Sequence, residues 1–409
     1  MTQHDDDLDL FSEARTERHR PVRRERDGRK PPPPSKKKRK NGLWIGMVVV
    51  LALIAAGGYY GYKQLTGIGD YEDFAGQGDG DVVVQVKDGD STGDIATTLA
   101  DAGVVASSRA FVAAAETNAD VRGVQPGYYV MKTKASGAAA VTKIVDAKSR
   151  VGAMDIKPGA QLENVILGGD KVVKGITAML ADASCAELNG KSTCVPPEQL
   201  AGVAKTADLA KLGVPDWALP DAGKAEPQRR LEGLIMPGVY DVKPGSTPEE
   251  LWTQLVTESA TQMQAAGLPD VAKDTGYTPY QVLVMASLIE KEAITKDFPK
   301  VSRVTYNRLR ESMKLQYDST INYVLDRPAI RTDPGDRARV GPYNTYDNTG
   351  LPPTPISAPG KGALDAAVNP EPGEWLFFVR CEKDGTSCFA VTNDEHEQNV
   401  DLASENGAY

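Results

Sequence analysis

Residues 282–289, reading VLVMASLI, are apolar on every side of a helical wheel. A helix without a polar face has to lie buried at the centre of a domain, so this stretch constrains the fold more than any other. Its start is well defined. Thr278 is a hydroxyl cap, Pro279 takes the first helical position, and Gln281 at the third closes a capping box. It ends on two carboxylates, Glu290 and Glu292, and a segment rich in Asn, Gln and Asp runs on to Thr320. Desolvation at the end of an apolar helix penalises the charged form of an acid and raises its proton affinity. Such a group delivers a proton to a leaving group near neutral pH, which points to an enzyme. Two residues apart on a helix, the glutamates face nearly opposite sides. At most one is the working acid, and periodicity does not say which.

At 409 residues the chain has room for two or three domains and at least one large core. Of its 47 Lys+Arg and 56 Asp+Glu, 13 and 8 fall in residues 1–42, beside a proline run at 31–34 and a basic run at 36–40. Almost no large apolar side chain accompanies them, so 1–42 is expected to be a disordered tail. Residues 43–62, LWIGMVVVLALIAAGGYYGY, carry no charge over 20 positions, enough to cross a bilayer. Trp44 near one end and Tyr59, Tyr60 and Tyr62 near the other stand where interfacial aromatics belong. Residues 55–58 imitate a signal-peptide cleavage site, but the long apolar run and its leader favour a retained anchor. The basic cluster reads as a topology determinant touching anionic lipid rather than as a nuclear-localisation run, and keeps the N-terminus cytoplasmic. The expected location is the cell membrane, single-pass, with everything after Tyr62 outside.

That exported part keeps 34 basic against 48 acidic residues, a net of −14, which argues against nucleic acid as a partner. Its four cysteines form two close pairs, Cys185 with Cys194 and Cys381 with Cys388, which an oxidising compartment would close. The alternative, one metal site of four thiolates, fits poorly because the spacings are too wide for a pair of CxxC knuckles. Only His396 of the three histidines lies on that side. No metal or cofactor is therefore expected.

Residues 63–80 read as a spacer. A strand at 82–86 is followed by a helix capped by Ser91 and answered by Asp94, a second helix at 107–118 and a strand at 127–131. This strand–helix–helix–strand order over 81–150 resembles a LysM-like module, a fold known for gripping glycan; a rigid spacer without ligand is the alternative. Residues 151–409 read as a mixed α+β catalytic domain. It opens on a strand, turn and helix from Val151, regains a strand at 231–240, and has a second Pro-started helix at Thr247, Pro248 and Glu250. Near the end, a hairpin turns on Asp384-Gly385, with Cys381 and Cys388 as cross-strand partners. The fold class is α+β.

Further motifs accompany the glutamates: Tyr306-Asn307-Arg308-Leu309, MKLQYDST at 313–320, GPYNTY at 341–346, GLPPTPI at 350–356 and TNDEH at 392–396. Amides, hydroxyls and tyrosines in Pro/Gly-stiffened loops suit sugar hydroxyls and acetamido groups. In this order they resemble the endolytic murein transglycosylase (MltG- or YceG-like) family over about residues 82–400. The resemblance implies cleavage of the β-1,4 bond between N-acetylmuramic acid and N-acetylglucosamine in nascent glycan strands, leaving 1,6-anhydro ends, beside the synthases that make those strands. It implies Glu290 as the catalytic acid, with Gln316, Asp318, Thr320, Asn344 and Tyr346 binding substrate. Glu292, Asn307 and His396 are supporting residues. Tyr317 and Ser319 depart from the family pattern at positions next to these. The competing expectations are a catalytically silent wall-binding scaffold and a glycoside hydrolase.

Overall fold

A computed structural model describes residues 41–66, 71–167, 171–325 and 333–408. The tail expected at 1–40 lies outside them. Helix Asn41–Thr66 covers the uncharged stretch, with side chains described from Met47 to Tyr59, all exposed. Among the described residues no helix is long and apolar enough to cross a membrane. The side chains described on this one amount to about 20 Å of helix, and the ends of the span expected at 43–62 lie beyond them.

In Tyr71–Tyr409, strand Asp81–Val86 pairs antiparallel with Gly127–Lys132, which pairs in turn with Arg150–Val151. Helices Thr92–Asp101, Ser108–Ala115 and Gly137–Val145 each begin at a serine whose hydroxyl accepts the backbone N–H three residues on. The expected strand–helix–helix–strand order is present, with a third helix and a closing strand added. The second helix is shorter than expected, giving way to a 3-10 turn at Ala119–Gly123. Val84, Val86, Leu99, Phe111, Tyr129, Met131 and Ile144 give this part a core of its own.

The boundary drawn at residue 150 falls within one run of strand. Arg150–Val151 belongs to the first sheet, and Ala153–Ile156, directly after it, pairs antiparallel with Gly238–Asp241. The switch between sheets is Gly152, at φ +80, where a Cβ would stand 2.0 Å from the Val242 carbonyl oxygen. Arg150 reaches Asp241 at 2.9 Å. The Asp81 N–H donates to the Asn189 side chain, and the Asn189 N–H donates back to the Asp81 carboxylate, both at 2.8 Å. Two cores thus share one compact unit.

The second core surrounds helix Pro279–Glu292, whose expected cap is complete: Thr278 accepts from Gln281 and Gln281 bonds back. No residue from Val282 to Ile289 is more than 2% exposed, and each such aliphatic side chain contributes roughly 1.5–3 kcal/mol. Helices Phe298–Arg310 and Lys361–Val368 pack against it. Helix Pro248–Ala265 turns Leu251, Trp252, Leu255, Val256, Ser259 and Met263 inward, the spacing of one helical face. The helix expected after the strand at 153–156 does not form there. Pro158 and Gly159 turn the chain, and distant partners take the backbone groups. Gly159 N–H donates to Ala358 O, Ile176 N–H to Gln161 O and Leu162 N–H to Glu232. Short strands Val165–Ile166 and Val172–Val173 follow, and the helix begins at Ile176.

Cys185–Cys194 and Cys381–Cys388 are both disulfide-bonded. Strands Phe377–Arg380 and Ser387–Ala390 form the expected hairpin, with Cys388 opposite Val379, so its bond to Cys381 runs diagonally. Gly152→Ala combines a left-handed backbone with a clash against backbone. It is expected to lower stability by about 2 kcal/mol or more, read as a drop in melting temperature with the secondary-structure signal at low temperature unchanged.

Candidate active site

The buried helix ends at a cleft, and its two glutamates part company there. The Glu290 carboxylate turns to the start of helix Lys361–Val368, where Oε2 accepts the Gly360 N–H at 2.9 Å. Burial raises its proton affinity, and the Gly360 N–H pulls it back. A carboxylate at a helix N-terminus is favourably placed, which makes Glu290 a tie between two helices. Glu292 faces the other way, onto a cavity of about 810 Å³. Its Oε1 accepts the Ser319 N–H at 3.2 Å. The Ser319 hydroxyl is buried without a well-directed hydrogen bond, so the backbone N–H is the firm contact. Burial pushes Glu292 up to about 7, with Ser319 opposing and Asp318 adding to the rise.

Asp318, Gln316 and Tyr346 line the same cavity. The Tyr346 hydroxyl donates to Asp318 Oδ1 at 2.5 Å, and Arg337 approaches Oδ2 at 3.3 Å. Burial, reinforced by Asp318, holds the Tyr346 hydroxyl protonated. Gln316 occupies the left-handed region at φ 55, a conformation a non-glycine residue keeps only under external constraint. Part of that constraint is its N–H bond to Thr345 O at 3.0 Å.

Thr320 and Asn344, expected to bind substrate, stand behind the wall rather than on it, as does Asn307, expected as a supporting residue. The buried Thr320 hydroxyl bonds Tyr317 O at 2.7 Å and the Thr345 hydroxyl at 2.9 Å. Asn344 spends its amide on the carbonyls of Arg337 and Arg339 and its oxygen on the Tyr346 N–H. Asn307 holds the carbonyls of Gly373 and Trp375. Each fixes a loop that presents a neighbour. The 350–356 loop is likewise mostly buried, pinned by Ser287 to Ile356 N–H at 3.0 Å and by Thr354 to Tyr343 at 2.8 Å. His396 does line the cavity, from helix Asn393–Asn406. Its ring stacks on Phe377 at 5.3 Å, its Nδ1 is buried without a partner, and burial lowers its proton affinity, with Arg308 adding to the drop.

The structure adds residues that the sequence reading missed. Lys291, Arg308 and Arg380 line the cavity, as does Phe377. Arg308 stands inside the Tyr306-Asn307-Arg308-Leu309 motif and Lys291 between the two glutamates, but neither was given a role; nothing signalled Arg380. Behind the wall Glu232, 3% exposed, accepts the Leu162 N–H at 3.3 Å and the Tyr323 hydroxyl at 3.1 Å. It couples the 158–167 turn to Tyr323 across the cleft, and burial pushes it up to about 7. Cys185, Cys194, Cys381 and Cys388 are used in disulfides. Among the described residues no His, Cys, Asp or Glu cluster is arranged to hold a metal.

Fold and cleft define an α+β protein with two cores and a desolvated carboxyl among amides, a tyrosine and arginines. Residues 84–402 match the YceG-like family, and the chain belongs to it. Among curated relatives, it is 27% identical over 370 residues to an endolytic murein transglycosylase of Streptococcus pneumoniae, covering 87% of this chain and 64% of that protein. It is 32% identical over 186 residues to the Bacillus subtilis protein of the same name, covering 45% and 51%. The chain thus spans less than two thirds of the length of these relatives. A crystal structure of a YceG-like protein from Listeria monocytogenes superposes with a TM-score of 0.50 at 25% identity, over 78% of this chain and 98% of that one.

Glu232 and Glu292 both titrate near 7 folded, against 4.5 for an ordinary glutamate. An acid whose folded pKa is raised contributes stability in full below its unfolded pKa and loses it as pH rises through the folded one. The melting temperature is therefore expected to fall between about pH 4.5 and 7. Glu232→Gln should make that slope shallower, since Glu232 and Glu292 carry the largest of the raised acid shifts. Melting curves across this range check it.

Proposed function

We propose that this protein is a lytic transglycosylase acting on murein glycan, and that Glu292 rather than Glu290 is its proton donor. The observation that carries the reading is the desolvated Glu292 carboxyl on the wall of the 810 Å³ cavity, with Gln316, Asp318 and Tyr346 beside it. Family membership and the names of the relatives support it. Glu292 protonates the glycosidic oxygen between N-acetylmuramic acid and N-acetylglucosamine, and the bonding pair leaves with that oxygen. The C6 hydroxyl of the muramic sugar then attacks its own anomeric carbon, and the Glu292 carboxylate takes the hydroxyl proton. A 1,6-anhydro end results, with no water nucleophile and no second carboxylate acting as base. Asp318, steadied by Tyr346 and Arg337, lies near the positive charge that develops at the anomeric carbon.

In this reading residues 43–62 anchor the chain as a single span, with the N-terminus cytoplasmic and the basic tail on anionic lipid. The catalytic part works outside on nascent strands beside the glycan synthases, and the 81–150 module holds glycan. Protease added to spheroplasts should then remove residues beyond the span and leave the tail; full protection of both parts would refute the anchor.

Digestion of uncrosslinked glycan followed by mass analysis tests the chemistry. Wild type should give anhydro-ended fragments. Glu292→Gln should lower the rate by about 10²–10⁴-fold, while Glu290→Gln, which keeps an acceptor for the Gly360 N–H, stays within a few-fold. The reverse pattern would return the role to Glu290. Reducing ends would mean a hydrolase, and uncut glycan a silent scaffold. The active form is protonated Glu292, so kcat/KM should fall about tenfold per pH unit above about 7.

A further inference from the structure

The exported part of the chain is acidic, with 34 basic against 48 acidic residues, yet the cavity wall is not. Its charged residues are Lys291, Arg308, Arg337 and Arg380 against Glu292 and Asp318. Arg337 is engaged with Asp318, and Lys291 stands 3.4 Å from the Gly159 carbonyl. Arg308 and Arg380 are the cations to explain.

Arg308 is 6% exposed and, among the described residues, makes no direct ion pair, although Glu292 attracts it through space. Its Nε donates to Leu376 O at 2.6 Å, and its Nη1 to Leu315 O at 2.6 Å and Lys314 O at 3.3 Å. The guanidinium carbon lies 5.3 Å from the centre of the Phe377 ring. Three carbonyls and an aromatic ring thus hold a nearly buried cation in one orientation, and its Nη2 makes no hydrogen bond within the described protein. Burying a cation without a directly bonded acid is expensive, and the carbonyls, with the through-space attraction of Glu292, offset only part of that cost. Arg380 ends strand Phe377–Arg380 on the same cavity, exposed, with no ion pair or hydrogen bond among the described residues. With Nε and Nη1 of Arg308 spent on carbonyls, its guanidinium has Nη2 left to donate single charge-assisted hydrogen bonds to an anion in the cavity.

We propose that Arg308 and Arg380 form an oxyanion subsite that seats a carboxylate carried by the glycan, so that the cleft selects strands bearing free peptide carboxylates over neutral ones. The proposal rests on the glycan-cleaving reading and names the substrate within it. In murein the muramic sugar carries a short peptide with free carboxyl groups, repeated along the strand. A lipid-linked pyrophosphate at the strand end offers similar chemistry once per chain, and strands freed of lipid remove that source.

The test uses lipid-free, peptide-bearing strands, one half with the carboxylates converted to neutral amides. Two readouts are taken: cleavage by wild type, and binding to Glu292→Gln by fluorescence anisotropy. Wild type should lose roughly tenfold in kcat/KM on amidation, mostly through KM, the size of one charged hydrogen bond. Arg380→Gln, an exposed change, should shrink the advantage of charged over amidated strands several-fold. Arg308→Lys, with its melting temperature checked, should shrink it too, because an ammonium keeps the charge but cannot reproduce the three carbonyl contacts that fix its orientation. Equal cleavage and equal binding of both strand types overturn the subsite, as does an Arg380→Gln effect of the same size on both. Preferential binding of charged strands without any cleavage would sink the enzymatic reading and leave the subsite standing.

Discussion

A helix with no polar face has one place to go, and the rest of this molecule is arranged around that necessity. Burying residues 282–289 demands neighbours on all sides, which helices Phe298–Arg310 and Lys361–Val368 and the pinned loop at 350–358 supply. Because the helix runs out at the surface of that core, its last turn emerges already stripped of much of its water. The acids there are desolvated by the position of the helix, before any partner is counted. The raised proton affinity of both Glu290 and Glu292 follows from that placement.

The same placement gives the two acids different work. One is consumed by the Gly360 N–H and the helix start behind it; the other meets the cavity and the 316–319 segment. Around the cavity, a second rank of residues sets the first. Thr320 and Thr345 fix the turn that carries Gln316 and Asp318, Asn344 fixes Tyr346, and Glu232 couples the two sides through Leu162 and Tyr323. Residues read from the motifs as sugar contacts are in several cases the reason that a neighbour faces the cavity.

Legibility in the sequence followed the range of the interaction. The caps at Ser91, Thr247 and Thr278 are local hydrogen bonds written within four residues, and each is present. The Asp-Gly hairpin and the two short-range disulfides were equally readable. The helix expected in the 160s failed because distant groups took its backbone partners: Ala358, Ile176 and the Glu232 carboxylate. Thr320 and Asn344 were expected on the cleft because they stand in family motifs whose amides and hydroxyls suit sugars. An amide or hydroxyl suits a buried carbonyl equally well, and nothing local separates the two.

From the residues alone came the α+β class, the buried central helix with its firm start, the pair of acids at its end and the family. These depend on composition and on spacings of a few residues, where propensity and hydrogen-bond geometry act without help. Which acid meets the cleft, which polar motifs line it and which only support it, and the arrival of Arg308 and Arg380 at the same cavity were decided in three dimensions. They depend on contacts between segments as far apart as Glu290 and Gly360 or Leu162 and Glu232, and such contacts exist only once the core has closed.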